Sequence, residues 1–132
     1  MITRIELRKR ARAKLKDAEV LFINRRYDGA VYLGGYVIEL ILKARTCRTL
    51  KWIDFPETNG EFHNYRSFKT HNLDILLRLS GLEDKIKLHH FIDWNNVNQW
   101  KPEMRYGVVG TITSVQAQDM IDSVKNLMMV IK

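Results

Sequence analysis

The sequence has few of the residues that interrupt secondary structure and almost no cysteine. Its 132 residues include two prolines, seven glycines and a single cysteine, Cys47. So few turn-forming residues disfavour an all-β protein with many tight turns, and one cysteine excludes an internal disulfide. No apolar run approaches the roughly 18 residues that a membrane-spanning helix needs. A membrane-spanning protein and a disulfide-stapled domain are therefore both excluded.

The chain nevertheless has enough apolar residues to form a core. Hydrophobic residues make up 45% of the sequence and charged residues 28%, a balance that excludes an intrinsically disordered chain. A chain of this length is typical of one domain, so we predict a single domain over residues 1–132. The first 16 residues are highly charged, where a secretory signal would be apolar, and this favours a protein of the reducing cytoplasm.

The formal net charge of +7 is concentrated near the start of the chain. Residues 1–16 contain seven lysines and arginines but one acidic residue. Arg8, Arg12 and Lys16 recur every four residues and therefore share one flank of a helix. They form either a stripe that contacts phosphates, whose binding would weaken with salt, or a solvated helix face. The sequence leaves both interpretations open.

Apolar residues recur with helical spacing along most of the chain. The predicted helices are about 3–25, 28–48, 72–81, 82–98 and 113–131. Asp28 is the predicted N-cap of the second helix, and Thr113 with Gln116 has the spacing of a capping box. No segment indicates a strand ladder. The sequence therefore predicts an all-α protein, an antiparallel up-and-down bundle of four to five helices.

Two further features concern the interior of this bundle. The second helix is apolar on several sides, and Gly34 and Gly35 within it would let a neighbouring backbone approach closely. An irregular connection is predicted at about 51–69, where Pro56 and Gly60 interrupt any period. Its aromatic residues either anchor the connection to the bundle or stack on nucleic-acid bases.

Three segments resemble the HEPN family in their order and spacing. They are RYDGAVY at 26–32 leading into VIELILKA at 37–44, THNLDILL at 70–77, and MRY at 104–106. The resemblance implies a helical bundle that pairs into a homodimer and that prokaryotes often encode beside a minimal nucleotidyltransferase. It also implies that the chain functions in a toxin–antitoxin or defence system. Many family members are metal-independent ribonucleases with an Arg and a His four to six residues apart.

One such pair is present, Arg66 with His71. A histidine can take the proton from a ribose 2′-hydroxyl while an arginine holds the scissile phosphate. In nuclease members of the family, however, the pair lies at the opening of the last long helix. Arg105 occupies that place here and no histidine follows it at the required distance. This departure favours a non-catalytic module, with a ribonuclease that uses Arg66 and His71 as the alternative.

The remaining candidates concern ligand contacts. Arg105 and Tyr106 precede a helix N-terminus, a place that favours phosphate or nucleotide, although Arg105 paired with the Glu39 carboxylate is an equally reasonable structural role. No residues have the spacing of an established metal site, and we predict neither a metal nor another cofactor. The Cys47 thiol has no evident base partner for nucleophilic catalysis.

These observations predict a dimerising helical module that binds nucleotide, RNA or a nucleotidyltransferase-type partner protein. The candidate phosphate contacts are Arg105, Tyr106, Arg8, Arg12 and Lys16.

Overall fold

The computed structural model describes residues 1–132, most of them helical. The six α-helices are α1 Arg4–Ile23, α2 Tyr27–Leu50, α3 Leu73–Ser80, α4 Glu83–His89, α5 Phe91–Val97 and α6 Ser114–Val130. Short 3₁₀ turns cover Arg66–Phe68 and Pro102–Tyr106. The predicted all-α class is confirmed. None of these helices combines the length and the apolar composition required to cross a bilayer.

The helix α2 lies at the centre and the others pack around it. It contacts α1, α3, α5 and α6, and buried side chains point from it in several directions, among them Val37, Ile38 and Leu42. Because a helix that is apolar all round must be covered on every side, the remaining elements are arranged as its cover. The predicted apolar stripe of α1 is buried against it at Leu7 and Ala11.

The predicted capping box of α6 is present, and both ends of α3 are capped by local interactions. The Thr113 hydroxyl accepts from the Gln116 N–H at 3.1 Å, and the Gln116 side chain accepts from the Thr113 N–H at 2.9 Å, which completes the capping box. Asn72 caps α3 through the Ile75 N–H. Gly81 ends α3 with a φ of 80°, a left-handed conformation that glycine adopts without strain.

The predicted N-cap at Asp28 is wrong. The helix α2 begins at Tyr27, so Asp28 lies inside its first turn. The Asp28 carboxylate instead accepts from the Gly110 N–H at 2.7 Å and from the Ile112 N–H at 3.4 Å. This side chain therefore ties the loop before α6 to the start of α2, a contact between residues more than 80 positions apart.

The predicted helix over 82–98 is divided at His90, so the bundle has six helices rather than four to five. His90 has φ −135° and ψ 37°, which are not helical values. The break lets α4 bury Ile86 while α5 turns to bury Trp94 and Val97. One straight helix presents a single stripe, whereas these two short helices meet different neighbours: α4 packs by α3, and α5 packs on α6 and α2.

The irregular connection is anchored by its aromatic side chains. Ring centroids in this group lie 4.9 to 6.4 Å apart, and the group consists of Trp52, Phe55, Phe62, Tyr65 and Phe68. Phe55 and Phe62 are buried beside Cys47 of α2. The structure thus places these aromatics in an anchoring role. It also contains a minimal sheet that the sequence did not indicate, in which Ile2–Thr3 (β1) pairs antiparallel with Asp54–Phe55 (β2).

The two adjacent glycines of α2 accommodate side chains rather than a neighbouring backbone, contrary to the prediction. A Cβ atom on Gly35 would lie 2.1 Å from Cγ of Trp100, and one on Gly34 would lie 3.3 Å from Cγ of Met120. The Trp100 indole therefore rests directly on the α2 backbone. Its Nε1–H donates to the Tyr32 carbonyl oxygen at 3.0 Å, which fixes the orientation of the ring.

We predict that G35A destabilises the protein and that G34A does not. Alanine at position 35 must displace a large planar ring, and overpacking of this kind costs about 1–3 kcal/mol. At position 34 the neighbour is a flexible methionine, and the better helix propensity of alanine, worth about 0.5–1 kcal/mol, offsets the closer contact. Urea unfolding measures both free energies. Equal free energies of unfolding for the two variants would contradict this account of Trp100.

Candidate functional site

A buried carboxylate holds a histidine at the surface of the bundle. Glu39 of α2 is only 3% exposed, and its Oε1 lies 2.7 Å from Nδ1 of His71. Its Oε2 accepts from Nζ of Lys43 at 3.1 Å, one helical turn further along α2. Both carboxylate oxygens are therefore hydrogen-bonded, which is the condition under which a carboxylate is tolerated in a protein interior.

This contact selects the tautomer of the His71 imidazole. A carboxylate is only an acceptor when it is ionised, so Nδ1 of His71 must carry the proton it shares with Glu39. The second ring nitrogen, Nε2, is left to exchange protons with another group. The His71 side chain is 59% exposed, so a ligand can reach it. The arrangement therefore orients an imidazole that a ligand can reach.

His71 and Arg105 line the same open cleft, which has a volume of about 970 Å³. One wall comes from the segment before α3 and the start of α3, and the opposite wall from the segment between α5 and α6. Tyr36 of α2 and Lys87 of α4 also line the cleft. Residues distant in the sequence thus meet at one surface because both segments pack across α2.

The cations of this cleft differ in how far they are neutralised. Nζ of Lys87 lies 3.0 Å from Asp74 and 3.4 Å from Glu83, and the hydrogen bond to Asp74 raises the pKa of Lys87. Lys69 donates to the Asn59 side chain, which is uncharged. Lys101 is exposed and has no carboxylate within 4 Å.

The Arg105 guanidinium lies among tyrosines and not beside Glu39, so the predicted pairing with Glu39 is wrong. Its central carbon is 4.7 Å from the centroid of the Tyr106 ring. Interaction with the Tyr32 hydroxyl, and then with Tyr106, raises the pKa of Arg105. Glu39 is already occupied by Lys43 and His71, and these contacts leave the charge of Arg105 without a carboxylate partner.

Tyr36 and Trp100, which line the cleft, belong to an aromatic cluster with Tyr32. Tyr36 packs edge-on against Tyr32 and Trp100, with ring centroids 5.1 Å apart in both pairs. The Tyr32 and Tyr36 hydroxyls are hydrogen-bonded at 3.3 Å, and this bond together with burial raises the pKa of Tyr36 to about 12. Tyr36 therefore keeps its proton at neutral pH and can serve as a hydrogen-bond donor but not as a base.

Arg66, the other half of the predicted Arg–His pair, is exposed and does not line this cleft. It lies in the 3₁₀ turn Arg66–Phe68, within the aromatic anchor. The structure thus brings His71 together with Arg105 and the cleft lysines, a combination that sequence spacing did not identify. The His71 partner Glu39 was also missed, because a contact across 32 residues leaves no local pattern.

The predicted basic stripe of α1 lies away from the cleft. Nζ of Lys14 is over the Tyr36 ring at 5.9 Å from its centroid, which marks the cleft side of α1. Arg8, Arg12 and Lys16 lie about 120° to 160° from Lys14 around the helix axis. They are on the flank where Glu19 of α1 pairs with Lys125 of α6 at 3.4 Å.

Neither of the other sequence candidates forms a site. Cys47 is fully buried, and burial raises the pKa of its thiol to about 11, so the reactive thiolate is scarce at neutral pH. No three His, Cys, Asp or Glu side chains are grouped as a metal ion would require.

Comparison with known proteins gives one match. A family model described as the HEPN domain matches residues 5–60. The matched region takes in α1, α2 and the first part of the connection, and so includes Tyr36, Glu39 and Lys43. His71 and Arg105 lie outside it. No curated protein and no solved structure matches the chain significantly.

Proposed function

We propose that this chain, which belongs to the HEPN domain family through residues 5–60, uses the cleft beside His71 to bind phosphate groups of a nucleotide or an RNA. The observation that carries the proposal is the meeting of Arg105 with His71, Lys69 and Lys101 in one cleft of about 970 Å³. Phosphate contacts to arginine and lysine dominate the affinity of proteins for nucleic acids.

The balance of charge in the cleft supports an anionic ligand. Asp74 is already paired with Arg78 and Lys87, so it adds little negative potential for a ligand to overcome. Glu103 is the second carboxylate of the lining, and the two face four cations, Lys69, Lys87, Lys101 and Arg105. Arg105 is held against Tyr106, and its planar fork of donors suits a phosphate group. Exposed Tyr106, beside it, offers a ring on which a base can stack.

We predict that R105Q weakens the binding of single-stranded RNA and that R66Q does not. Loss of one phosphate contact lowers the slope of log K against log salt by about 0.7 for a single strand. Both arginines are exposed, so R66Q is a control for net charge that lies outside the cleft. Fluorescence anisotropy over a salt series measures both variants. A slope that R66Q lowers as much as R105Q would contradict the location of the site.

A second function, metal-independent RNA cleavage, is favoured by the contact between Glu39 and His71. In this reaction Nε2 of His71 takes the proton of a 2′-hydroxyl as that oxygen attacks the adjacent phosphorus. The bond to the 5′-oxygen breaks, and the leaving oxygen receives a proton in return. Glu39 would stabilise the imidazolium, and Arg105 the charge on the phosphate. The sequence suggested a ribonuclease that uses Arg66 and His71. The proposed catalytic residues keep His71 and have Arg105 in place of Arg66.

Cleavage by this route predicts a specific pattern of variants. H71A and R105A should each reduce chelator-insensitive cleavage, H71A by about 100-fold to 10,000-fold because a general base is lost. R66A should retain it. If R66A is defective and R105A is not, the pair Arg66 with His71 is the catalytic one. Absence of cleavage in the parent protein, measured with RNA that R105Q binds more weakly, supports the binding module without catalysis.

We further propose that the chain forms a homodimer through the junction of α4 and α5. HEPN domains commonly dimerise, and three apolar side chains are exposed here within five residues: Leu88 (76%), Phe91 (63%) and Ile92 (75%). Such a group of large apolar side chains marks an interaction surface. A second copy would cover it and bring two clefts close together, because Lys87 at the cleft edge adjoins Leu88.

The dimer proposal predicts that L88E/I92E is a monomer at tens of micromolar in sedimentation velocity, whereas the parent protein is a dimer. The double variant I5E/I53E is the control, since Ile5 and Ile53 are exposed to the same degree elsewhere. A monomeric parent protein would contradict the proposal, as would a dimer that survives L88E/I92E.

We also propose a protein partner for this chain. The resemblance to the HEPN family implies a nucleotidyltransferase-type protein of a toxin–antitoxin or defence system. Tyr106 is the residue to follow, because it is 77% exposed beside Arg105 and is open to such an enzyme. Incubation of the purified chain with a nucleotidyltransferase and a labelled nucleoside triphosphate tests this, since transfer would join the nucleotidyl group to the Tyr106 oxygen and release pyrophosphate. Label is expected on the parent chain and not on Y106F, which lacks the hydroxyl, and equal label on both would contradict it.

A further inference from the structure

Five arginines from two helices form a second basic surface, here called the arginine cluster. Three come from the first half of α1 and two from the last turns of α2: Arg4, Arg8, Arg12, Arg45 and Arg48. The two helices are antiparallel neighbours, so these ends meet. The charges are close enough to affect one another: burial, and then Arg4, Arg12 and Arg48, lower the pKa of Arg8.

No Asp or Glu side chain neutralises this cluster. None of the five guanidinium groups lies within 4 Å of an Asp or Glu side chain, although ten ion pairs occur elsewhere in the molecule. Arg10, on the other flank of α1, shows the contrast because it pairs with both Glu6 and Glu57. A group of like charges without counter-charges repels itself, and an anion that enters it relieves this repulsion.

One donor in the cluster lacks an acceptor. Nη1 of Arg8 is sealed from solvent yet has no hydrogen-bond partner. Buried polar groups in folded proteins are nearly always paired, because an unpaired one has lost its water without replacement. Rotation of the Arg8 guanidinium toward solvent would let an oxygen atom of a bound anion supply the missing acceptor.

Capping of the C-terminus of α6 explains the positions of only two arginines of the cluster. Arg48 and Arg45 donate to the Lys132 carbonyl oxygen at 2.6 and 3.3 Å, just beyond the end of α6. Cations favour this position because the carbonyl groups at a helix C-terminus are unpaired. The three arginines of α1 make no such contact, so their presence calls for another counter-charge.

The cluster and the cleft are different surfaces. The arginines of α1 lie on the flank that faces α6, as the pairing of Glu19 with Lys125 shows. The cleft lies on the opposite flank, beneath Lys14 and Tyr36. No residue of the cluster lines the cleft.

We propose that the arginine cluster binds the phosphate backbone of an RNA strand, as a site separate from the cleft. Arg4, Arg8 and Arg12 follow one another along α1 at intervals of one helical turn, about 6 Å. A nucleic-acid strand carries a charge on every unit, whereas a peptide is charged only where an acidic residue occurs. The fork geometry of arginine matches a phosphate in two parallel hydrogen bonds.

The test compares R8Q/R48Q with R25Q/K85Q, which removes the same charge from exposed residues outside both surfaces. The probe is single-stranded polyuridine, and anisotropy is recorded over a salt series. We expect R8Q/R48Q to lower the slope of log K against log salt by about 1.4, since two contacts are lost at about 0.7 each. The control variant should keep the parent slope.

Further arms separate the possible failures. Should R8Q/R48Q not fold by circular dichroism, R12Q/R48Q replaces it, because Arg12 and Arg48 are both exposed. A slope that is unchanged, or lowered equally by R25Q/K85Q, overturns the proposal. Polyglutamate of equal charge that competes as well as unlabelled polyuridine also overturns it, because the cluster would then bind any polyanion.

R105Q tests the cleft independently of the cluster. If R105Q leaves the slope unchanged while R8Q/R48Q lowers it, the cleft proposal fails and the cluster proposal stands. The triple variant R8Q/R48Q/R105Q combines both changes. If its slope of log K against log salt falls by the sum of the decreases seen in R8Q/R48Q and in R105Q, both surfaces contact the same RNA.

Discussion

The contact between the Trp100 indole and the bare backbone of α2 at Gly35 is the constraint on which the cleft depends. No side chain larger than hydrogen fits at position 35, since a Cβ would lie 2.1 Å from the ring. With Nε1 bonded to the Tyr32 carbonyl, the indole holds the segment after α5 across α2. That segment carries Arg105, so a packing contact in the core sets the position of a cation at the surface.

A second constraint is the burial of Glu39. A carboxylate that is 3% exposed must be fully hydrogen-bonded, and Lys43 and His71 meet that requirement. The same bonds fix the tautomer of His71 and leave Arg105 with tyrosines for neighbours. His71 therefore has two roles: it satisfies the buried Glu39 carboxylate, and its second ring nitrogen is free to take or give a proton.

The distribution of charge follows from the same packing. Basic residues of α1 divide between two flanks, because Leu7 and Ala11 must face α2 and the charged positions fall to either side. On one flank Arg10 is neutralised by Glu6 and Glu57. On the other flank, the arginines of α1 meet Arg45 and Arg48 of α2, and no Asp or Glu side chain pairs with this group. The excess of +7 is thus confined to particular surfaces and is not spread evenly.

Local sequence determined the helices and their ends wherever the deciding interaction spans a few residues. The capping box at Thr113 and the apolar stripe of α1 depend on such spacing, and both are present as predicted. The predictions that were wrong concern interactions between residues far apart in the sequence. Asp28 has the right chemistry for a cap but binds a loop more than 80 residues away, and the break at His90 arises from the different neighbours of α4 and α5.

The candidate sites divide in the same way. The sequence by itself identified His71, Arg105 and the basic stripe as chemically capable residues, because residue type and helical period are local properties. Only the tertiary structure decided that His71 meets Glu39 and shares a cleft with Arg105, and that Arg8 joins Arg48. These associations join residues 32 to 40 positions apart, and they exist because the covering of an apolar central helix brings distant segments onto it, which no spacing along the chain encodes.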